Sequence, residues 1–167
     1  MIEIVQYSKI HLDGVIDVIL PIQQKEFGIQ IKLEDQPDLR EIPNFYQKGN
    51  GNFWVAMCKS EIVGTISLLD IGNKQGALRK MFVKKEFRGP KNKVAEKLLA
   101  VLLLWCQSKD VREIFLGTTP KFLAAHRFYE KNGFSEIQKS ELPVSFPVMV
   151  VDTKFYKQIV TKAADFS

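Results

Sequence analysis

Val83-Lys-Lys-Glu-Phe-Arg-Gly-Pro-Lys-Asn-Lys-Val-Ala-Glu-Lys-Leu-Leu99 runs from the end of an apolar strand, through a basic turn, into an apolar helix. A helix N-terminus presents unpaired backbone N–H groups and the positive end of the macrodipole, and so suits a phosphate. Gly89 lets the backbone approach a ligand closely, and Pro90 sets φ for a helical start. Between Lys80 and Lys97 seven basic residues face two acidic ones, an excess of +5 that equals the net charge of the whole chain. The charge is therefore focused at one turn, where it would attract a polyanion, although lysines on a strand end and a helix face also serve simply as solvated surface.

Outward from this turn, the 167 residues suit one domain, 1–167, built on one core. A composition of 46% hydrophobic and 26% charged residues is that of an ordinary globular protein. No apolar run approaches the roughly 20 residues that span a bilayer, so no membrane partner is expected. The start, Met1-Ile-Glu-Ile-Val5, lacks the basic and apolar regions of a secretory signal. Cys58 and Cys106 are isolated in apolar segments and read as buried free thiols of a reducing compartment, the cytoplasm.

Ile2 and Ile4 alternate with polar residues as an opening strand. A helix is expected from His11 to about Phe27 with Leu12, Val15, Ile16, Ile19 and Ile22 on one face, kinked or split at Pro21. A second short helix is expected between Leu33 and Gln47. Phe53–Cys58 and Ile62–Leu69 form a hairpin, and Ala77–Val83 adds a third strand. The helix from Val94 to about Lys109 is apolar nearly all round and must bury a broad face against a sheet. Glu113–Gly117 is a short buried strand, parallel to the preceding one by the right-handed crossover rule. Thr118-Thr119-Pro120 opens a helix, Thr as cap and Pro at its first position, that ends at Asn132-Gly133. Phe134–Ile137 and Val148–Phe155 read as the last strands. The order β-α-α-β-β-β-α-β-α-β-β is an α/β domain with a mixed sheet.

Leu78-Arg-Lys-Met-Phe-Val83, Phe87-Arg-Gly-Pro-Lys-Asn-Lys-Val-Ala95 and Ala125-His-Arg-Phe-Tyr-Glu-Lys-Asn-Gly-Phe134 together resemble the GNAT superfamily of acyl-CoA-dependent N-acyltransferases. The last segment is the most specific of the three. The resemblance implies a mixed, mostly antiparallel sheet of roughly six to seven strands flanked by about four helices. It implies an N-acetyltransferase using acetyl-CoA as co-substrate, with no metal, acting on the primary amine of a small molecule or peptide. Arg88, Gly89, Pro90, Lys91, Asn92, Lys93, Val94 and Ala95 would wrap the coenzyme A diphosphate. Met81, Phe82 and Val83 would bind the pantetheine arm like an added strand, which requires the neighbouring strand to splay away; Phe122 and Ala125 would complete the cofactor site. Aligned on Ala95, the family's Gln/Arg-x-x-Gly-x-Gly/Ala pattern places Pro90 and Lys93 where Gln/Arg and the middle Gly are expected. Phe122 stands where the family often has an Asn.

Tyr129 is the catalytic candidate by the same resemblance, meeting the leaving sulfur. A thiol of pKa ~8.5 facing a phenol of ~10 makes full proton transfer uphill by about 2 kcal/mol, so hydrogen-bond stabilisation of the thiolate is an alternative. The general base is open. Gln75–Val83 contains no carboxylate, His126 reads as a solvent-exposed helix residue, Asp70 and Glu41 are weaker candidates, and a water chain needs no residue. The acceptor cleft would be flanked by Phe27–Gln47 and Leu142–Phe155. There Phe27, Ile29, Ile31, Phe45 and Tyr46 read as walls or core, and Glu34, Asp35, Asp38 and Glu41 as solvated acids or a lure for a cation. Two alternatives stand beside the enzyme: an acyl-CoA-binding sensor without catalysis, and a nucleic-acid binder, disfavoured because Phe82 and Phe87 are more simply core than stacking platforms. Homodimerisation is left open.

Overall fold

The opening alternation forms β1 (Ile2–Gln6) in the computed structural model, which describes residues 1–161. Residues 162–167, the tail of the expected 1–167 domain, lie outside the described residues. α1 (Leu12–Pro21) ends its regular turns at Pro21, and Ile22–Glu26 continue as one wider π-helical turn. In place of the helix expected between Leu33 and Gln47 stand two 3-10 turns, Leu33–Asp35 and Pro37–Leu39, and a single helical turn, α2 (Ile42–Phe45). Pro37 and Pro43 each lie in a first turn, where the missing N–H does no harm but stops the preceding turn from propagating.

β2 (Asn52–Cys58), β3 (Glu61–Gly72) and β4 (Gln75–Val83) form an antiparallel meander. α3 (Val94–Ser108) crosses over to β5 (Glu113–Thr118), which lies parallel to β4 as the crossover rule requires. α4 (Leu123–Lys131), β6 (Ser135–Ile137) and β7 (Lys154–Ile159) complete the chain, giving a seven-stranded sheet in the order β1-β2-β3-β4-β5-β7-β6. No helix among the described residues is long and apolar enough to cross a membrane.

Successive residues of β2 point to opposite faces, and both faces are covered. Trp54 and Ala56 pack with Val94, Leu98, Leu99, Leu102 and Cys106 of α3. Phe53 and Val55 pack with Val15, Val18 and Ile19 of α1 and with Leu39, Ile42 and Tyr46. Burial on both sides explains the near-continuous apolar runs of β2 and β3. α3 buries a stripe rather than its whole circumference, and Leu104 on the far side is 65% exposed. Cys106 is buried and Cys58 half-buried; both are free thiols.

Two local expectations are corrected. Thr118 belongs to β5, and α4 begins only after Phe122, so neither Thr caps it and Pro120 precedes its first turn. The last strand is β7 at Lys154–Ile159, not Val148–Phe155. Asp152 turns the backbone back on Met149 (Asp152 N–H to Met149 O, 3.0 Å), which removes Val148–Asp152 from the ladder, and pairing with β5 starts at Thr118 opposite Lys154. Val150, which an apolar alternation would bury, is 101% exposed.

Candidate active site

β4 and β5 pair only at Gln75–Glu113, Gly76–Ile114 and Ala77–Phe115, although β4 continues to Val83 and β5 to Thr118. Beyond that point they diverge, and a groove of about 720 Å³ opens, with Met81, Phe82 and Val83 on one wall and Gly117 and Thr118 on the other. A bulge in β4 contributes to the divergence. Thr65 opposes Phe82 and Ser67 opposes Arg79, so Lys80 and Met81 share the single partner position of Ile66, and Lys80 takes a left-handed φ of 53°. A bulge bends its strand and increases its twist. The carbonyls it frees are taken by two buried hydroxyls of β3: Thr65 Oγ1 donates to Lys80 O at 2.7 Å and Ser67 Oγ to Arg79 O at 2.6 Å. Hydroxyl residues inside an otherwise apolar strand, Thr65 and Ser67, are the sequence signal for this bulge.

The basic turn lies at one end of the groove. Arg88, Gly89, Pro90, Val94, Ala95 and Glu96 line it, while Lys91, Asn92 and Lys93 do not. Gly89 has φ 99°, a conformation that a side chain would strain, and the space a Cβ would enter is open. Lys93 is the N-cap of α3 and also left-handed, at φ 49°, so it takes up the conformation for which a glycine is usually chosen; no side chain caps the helix. Val94, Ala95 and Glu96, the first turn of α3, line the groove, and no side chain caps their N–H groups. Because a left-handed non-glycine residue costs roughly 1–2 kcal/mol and glycine costs about 0.5–1 kcal/mol in chain entropy, Lys93→Gly is expected to raise stability by about 1 kcal/mol. An upward shift of the urea midpoint checks this; a downward shift would show that the lysine is not strained.

Several of the cations are already paired. Arg88 donates from Nε to Val83 O at 2.7 Å and forks onto Glu26 at 2.5 and 2.7 Å, which holds the Glu26 carboxyl below its ordinary range. Lys84 pairs with Glu61 at 3.1 Å, and Lys80 lies 3.7 Å from Asp38. Arg88 thus ties the basic turn to the end of the π-helical turn that follows α1.

At the inner end Phe122, Ala125 and Tyr129 line the groove. Phe122 packs edge-on against Phe27 at 4.6 Å and near Phe82 at 6.2 Å, an aromatic bridge between the walls. Tyr129 is buried on the inner face of α4 against Phe134 and Tyr156. Burial, with the Tyr156 phenol beside it, pushes its hydroxyl well above the ordinary tyrosine value. His126, three residues earlier, shares that inner face: it is buried, not solvent-exposed, with Nε2 3.0 Å from Thr119 O and its ring against Tyr156. It does not line the groove. Asp70 and Glu41 do not line it either; Asp70 accepts the Asn50 and Gly72 N–H groups at 2.9 Å each, and Glu41 accepts from Asn44.

Beyond the bulge lies a buried polar cluster that includes Asp38, expected from the sequence as a solvated acid or a lure for a cation. Asp38 is 5% exposed and accepts the Tyr46 hydroxyl at 2.5 Å. Lys80 Nζ donates to Gln36 Oε1 at 2.7 Å, and burial, outweighing the pull of Asp38, lowers its pKa to about 8. Gln36 and Gln23 exchange two side-chain hydrogen bonds at 2.9 and 3.0 Å. Arg79 and Asp152 border the same end of the groove. No group of three or more His, Cys, Asp or Glu residues able to hold a metal ion occurs among the described residues.

The model of the acetyltransferase (GNAT) family matches residues 16–134. A GNAT-family acetyltransferase from Staphylococcus aureus Mu50 superposes with a TM-score of 0.92 at 41% identity, covering 96% of this chain and 100% of its own. The PaiA N-acetyltransferase of Thermoplasma acidophilum, solved with coenzyme A, shares the fold at a TM-score of 0.72 and 20% identity, over 95% of this chain and 99% of its own. N-acetylaspartate synthetase of Xenopus tropicalis is 33% identical over 104 residues, which are 60% of this chain and 37% of that protein, so the chain spans little more than a third of this curated relative. With the family model covering residues 16–134 and a 41% identical relative matched along its whole length, the chain belongs to the GNAT family of acetyltransferases.

Proposed function

We propose that the chain transfers an acetyl group from acetyl-CoA to a primary amine, with the groove as its active site. The observation that carries this reading is the continuity of the groove, from the uncapped N-terminus of α3, along the splayed edge of β4, to the buried Tyr129. The first-turn N–H groups at Val94–Glu96 and the backbone of Gly89 would hold the diphosphate, as anions are held at helix N-termini. The β4 edge at Met81–Val83, unpaired with β5, would take the pantetheine amides as an added strand. Lys93, in its left-handed conformation, gives the turn the shape that a glycine would, which favours a working donor site over a degraded sensor.

Tyr129 would meet the leaving sulfur. Even at an unperturbed phenol, proton transfer to a thiolate is uphill by about 2 kcal/mol, and burial raises that figure. Tyr129 therefore keeps its proton and donates a hydrogen bond to sulfur as the C–S bond breaks. The two free thiols, one of them deeply buried, suit a cytoplasmic protein. Pairing of Lys80, Lys84 and Arg88 with acids of the same chain speaks against nucleic acid as the partner.

Titration calorimetry with acetyl-CoA, followed by thiol-release assays over a panel of amines, tests the reading. Saturable binding with amine-dependent thiol release is expected. Binding without release from any amine would leave a sensor.

A further inference from the structure

Two oppositely charged groups at the acceptor end of the groove lack partners that match them. Arg79 has a side chain only 14% exposed, lying over the rings of Phe45 at 5.5 Å and Tyr46 at 5.9 Å. Among the described residues its guanidinium makes one hydrogen bond, to the Met149 sulfur at 3.7 Å. Its one ion pair among the described residues is a long one, 4.0 Å to Asp38 Oδ2, an oxygen that Lys80 approaches to 3.7 Å and that already accepts the Tyr46 hydroxyl. A guanidinium has five N–H donors in a planar fork, so most of this one's capacity is unspent.

Asp152 is the second group. Its Oδ2 lies 2.6 Å from where a Cβ on Gly117 would stand, so the carboxylate fills a space that only glycine leaves in β5. The Met149 N–H donates to that oxygen at 3.0 Å, and Thr153 N–H anchors the loop on Thr118 O at 3.0 Å. Met149 therefore touches both groups, Asp152 through its backbone and Arg79 through its sulfur. The charged groups facing Asp152 are Arg79 and Lys80, both from β4; it forms an ion pair with neither. Lys80 is committed to Gln36 and Asp38.

We propose that the acceptor is a small amino-carboxylate, seated so that Arg79 binds its carboxylate while Asp152 takes the proton from its ammonium. This rests on the acetyl-transfer reading and narrows its substrate class. Asp152 accepts one proton from R–NH3+, and the freed nitrogen pair forms the N–C bond at the acetyl carbonyl. The C–S bond then breaks with its electron pair on sulfur, where Tyr129 donates a hydrogen bond. The second nitrogen proton ends on the thiol, and Asp152 returns its own to solvent. A zwitterion satisfies both half-buried charges at once, and an analogue without a carboxylate leaves the Arg79 fork with only its long contact to Asp38, so a site built to bind that carboxylate discriminates against the analogue.

The experiment compares glycine, alanine, aspartate, glutamate and phenylalanine with amides in which every carboxylate is amidated, and with spermidine, by thiol release from acetyl-CoA. At least one amino acid is expected to exceed its amide by about a hundredfold or more in kcat/KM. Arg79→Gln should raise KM for that amino acid at least tenfold and bring the acid-to-amide ratio close to one. Asp152→Asn should lower kcat at least tenfold and remove the acidic limb of the pH–rate profile; acetyl-CoA titration confirms that each variant is folded. Amides or spermidine turned over as well as the acids by wild-type protein would overturn this inference and leave acetyl transfer standing. Bound acetyl-CoA with no thiol release from any acceptor would bring down acetyl transfer and this inference with it.

Discussion

Tyr129→Phe is expected to lower kcat about a hundredfold while the Kd for acetyl-CoA stays within about twofold. The ring of Tyr129 is packed against Phe128, Phe134 and Tyr156, and phenylalanine keeps those contacts. What is lost is a single O–H, which in the proposed reaction donates to a charge that exists only as the C–S bond breaks. A hundredfold is about 2.7 kcal/mol of transition-state stabilisation, the size found for one preorganised donor in a dry site. Burial also makes a prediction about pH: since the phenol is held well above its ordinary value, the wild-type profile should show no descending limb from Tyr129 near pH 10. Thiol release measured alongside calorimetric titration separates chemistry from binding. Unchanged turnover would remove Tyr129 from the reaction.

Tyr129 is reached from sequence only through the resemblance of Ala125–Phe134 to the GNAT family, and Asp152 lies in a segment that carries no such resemblance. The Ala125–Phe134 segment carries its buried face and its terminating Asn132-Gly133 in consecutive residues, and Gly133 does take the left-handed φ of 94° expected there. The crossover from β4 through α3 to β5 was equally readable, since an apolar helix between two short apolar strands has essentially one right-handed solution. Asp152 sits in a segment whose Val148, Val150 and Val151 mimic a strand. Only the turn of its backbone onto Met149 and its contact with Gly117, thirty-five positions away, make it part of the groove. Asp38 was read as solvated for the same reason: its partners Tyr46, Lys80 and Arg79 come from a helical turn and a strand bulge with no local signature. His126, expected at the surface, is buried because its three-residue spacing puts it on the same helix face as Tyr129. Left-handed lysines at positions 80 and 93 are the hardest case, since nothing in a lysine announces a positive φ.

The bulge in β4 carries a buried ammonium, whose contribution to stability rises with pH. Lys80 has its pKa lowered to about 8, chiefly by burial, against an unfolded value near 10.4. Below about pH 8 folded and unfolded chains both hold the proton, and the full penalty of burying the charge is present. Between that value and the ordinary lysine range the folded chain has released the proton and the unfolded chain has not, so stability rises with pH. Integrated from about pH 7 to 9.5, the gain is about 2 kcal/mol. Other buried groups act in the opposite direction. Burial pushes the Cys106 thiol up to about 12 and raises the Tyr46, Tyr129 and Tyr156 phenols, so the unfolded chain ionises first at these positions and stability falls. The wild-type curve alone will therefore look nearly flat, and the informative quantity is a difference. Lys80→Met keeps the stem and removes only the titration. The unfolding free energy of wild type minus that of the variant should climb by about 2 kcal/mol over this window, as the thiol and phenol contributions cancel. Parallel urea-unfolding curves across the window would mean that Lys80 titrates in water, and that the bulge is not closed over a buried ammonium held by Gln36 and Asp38.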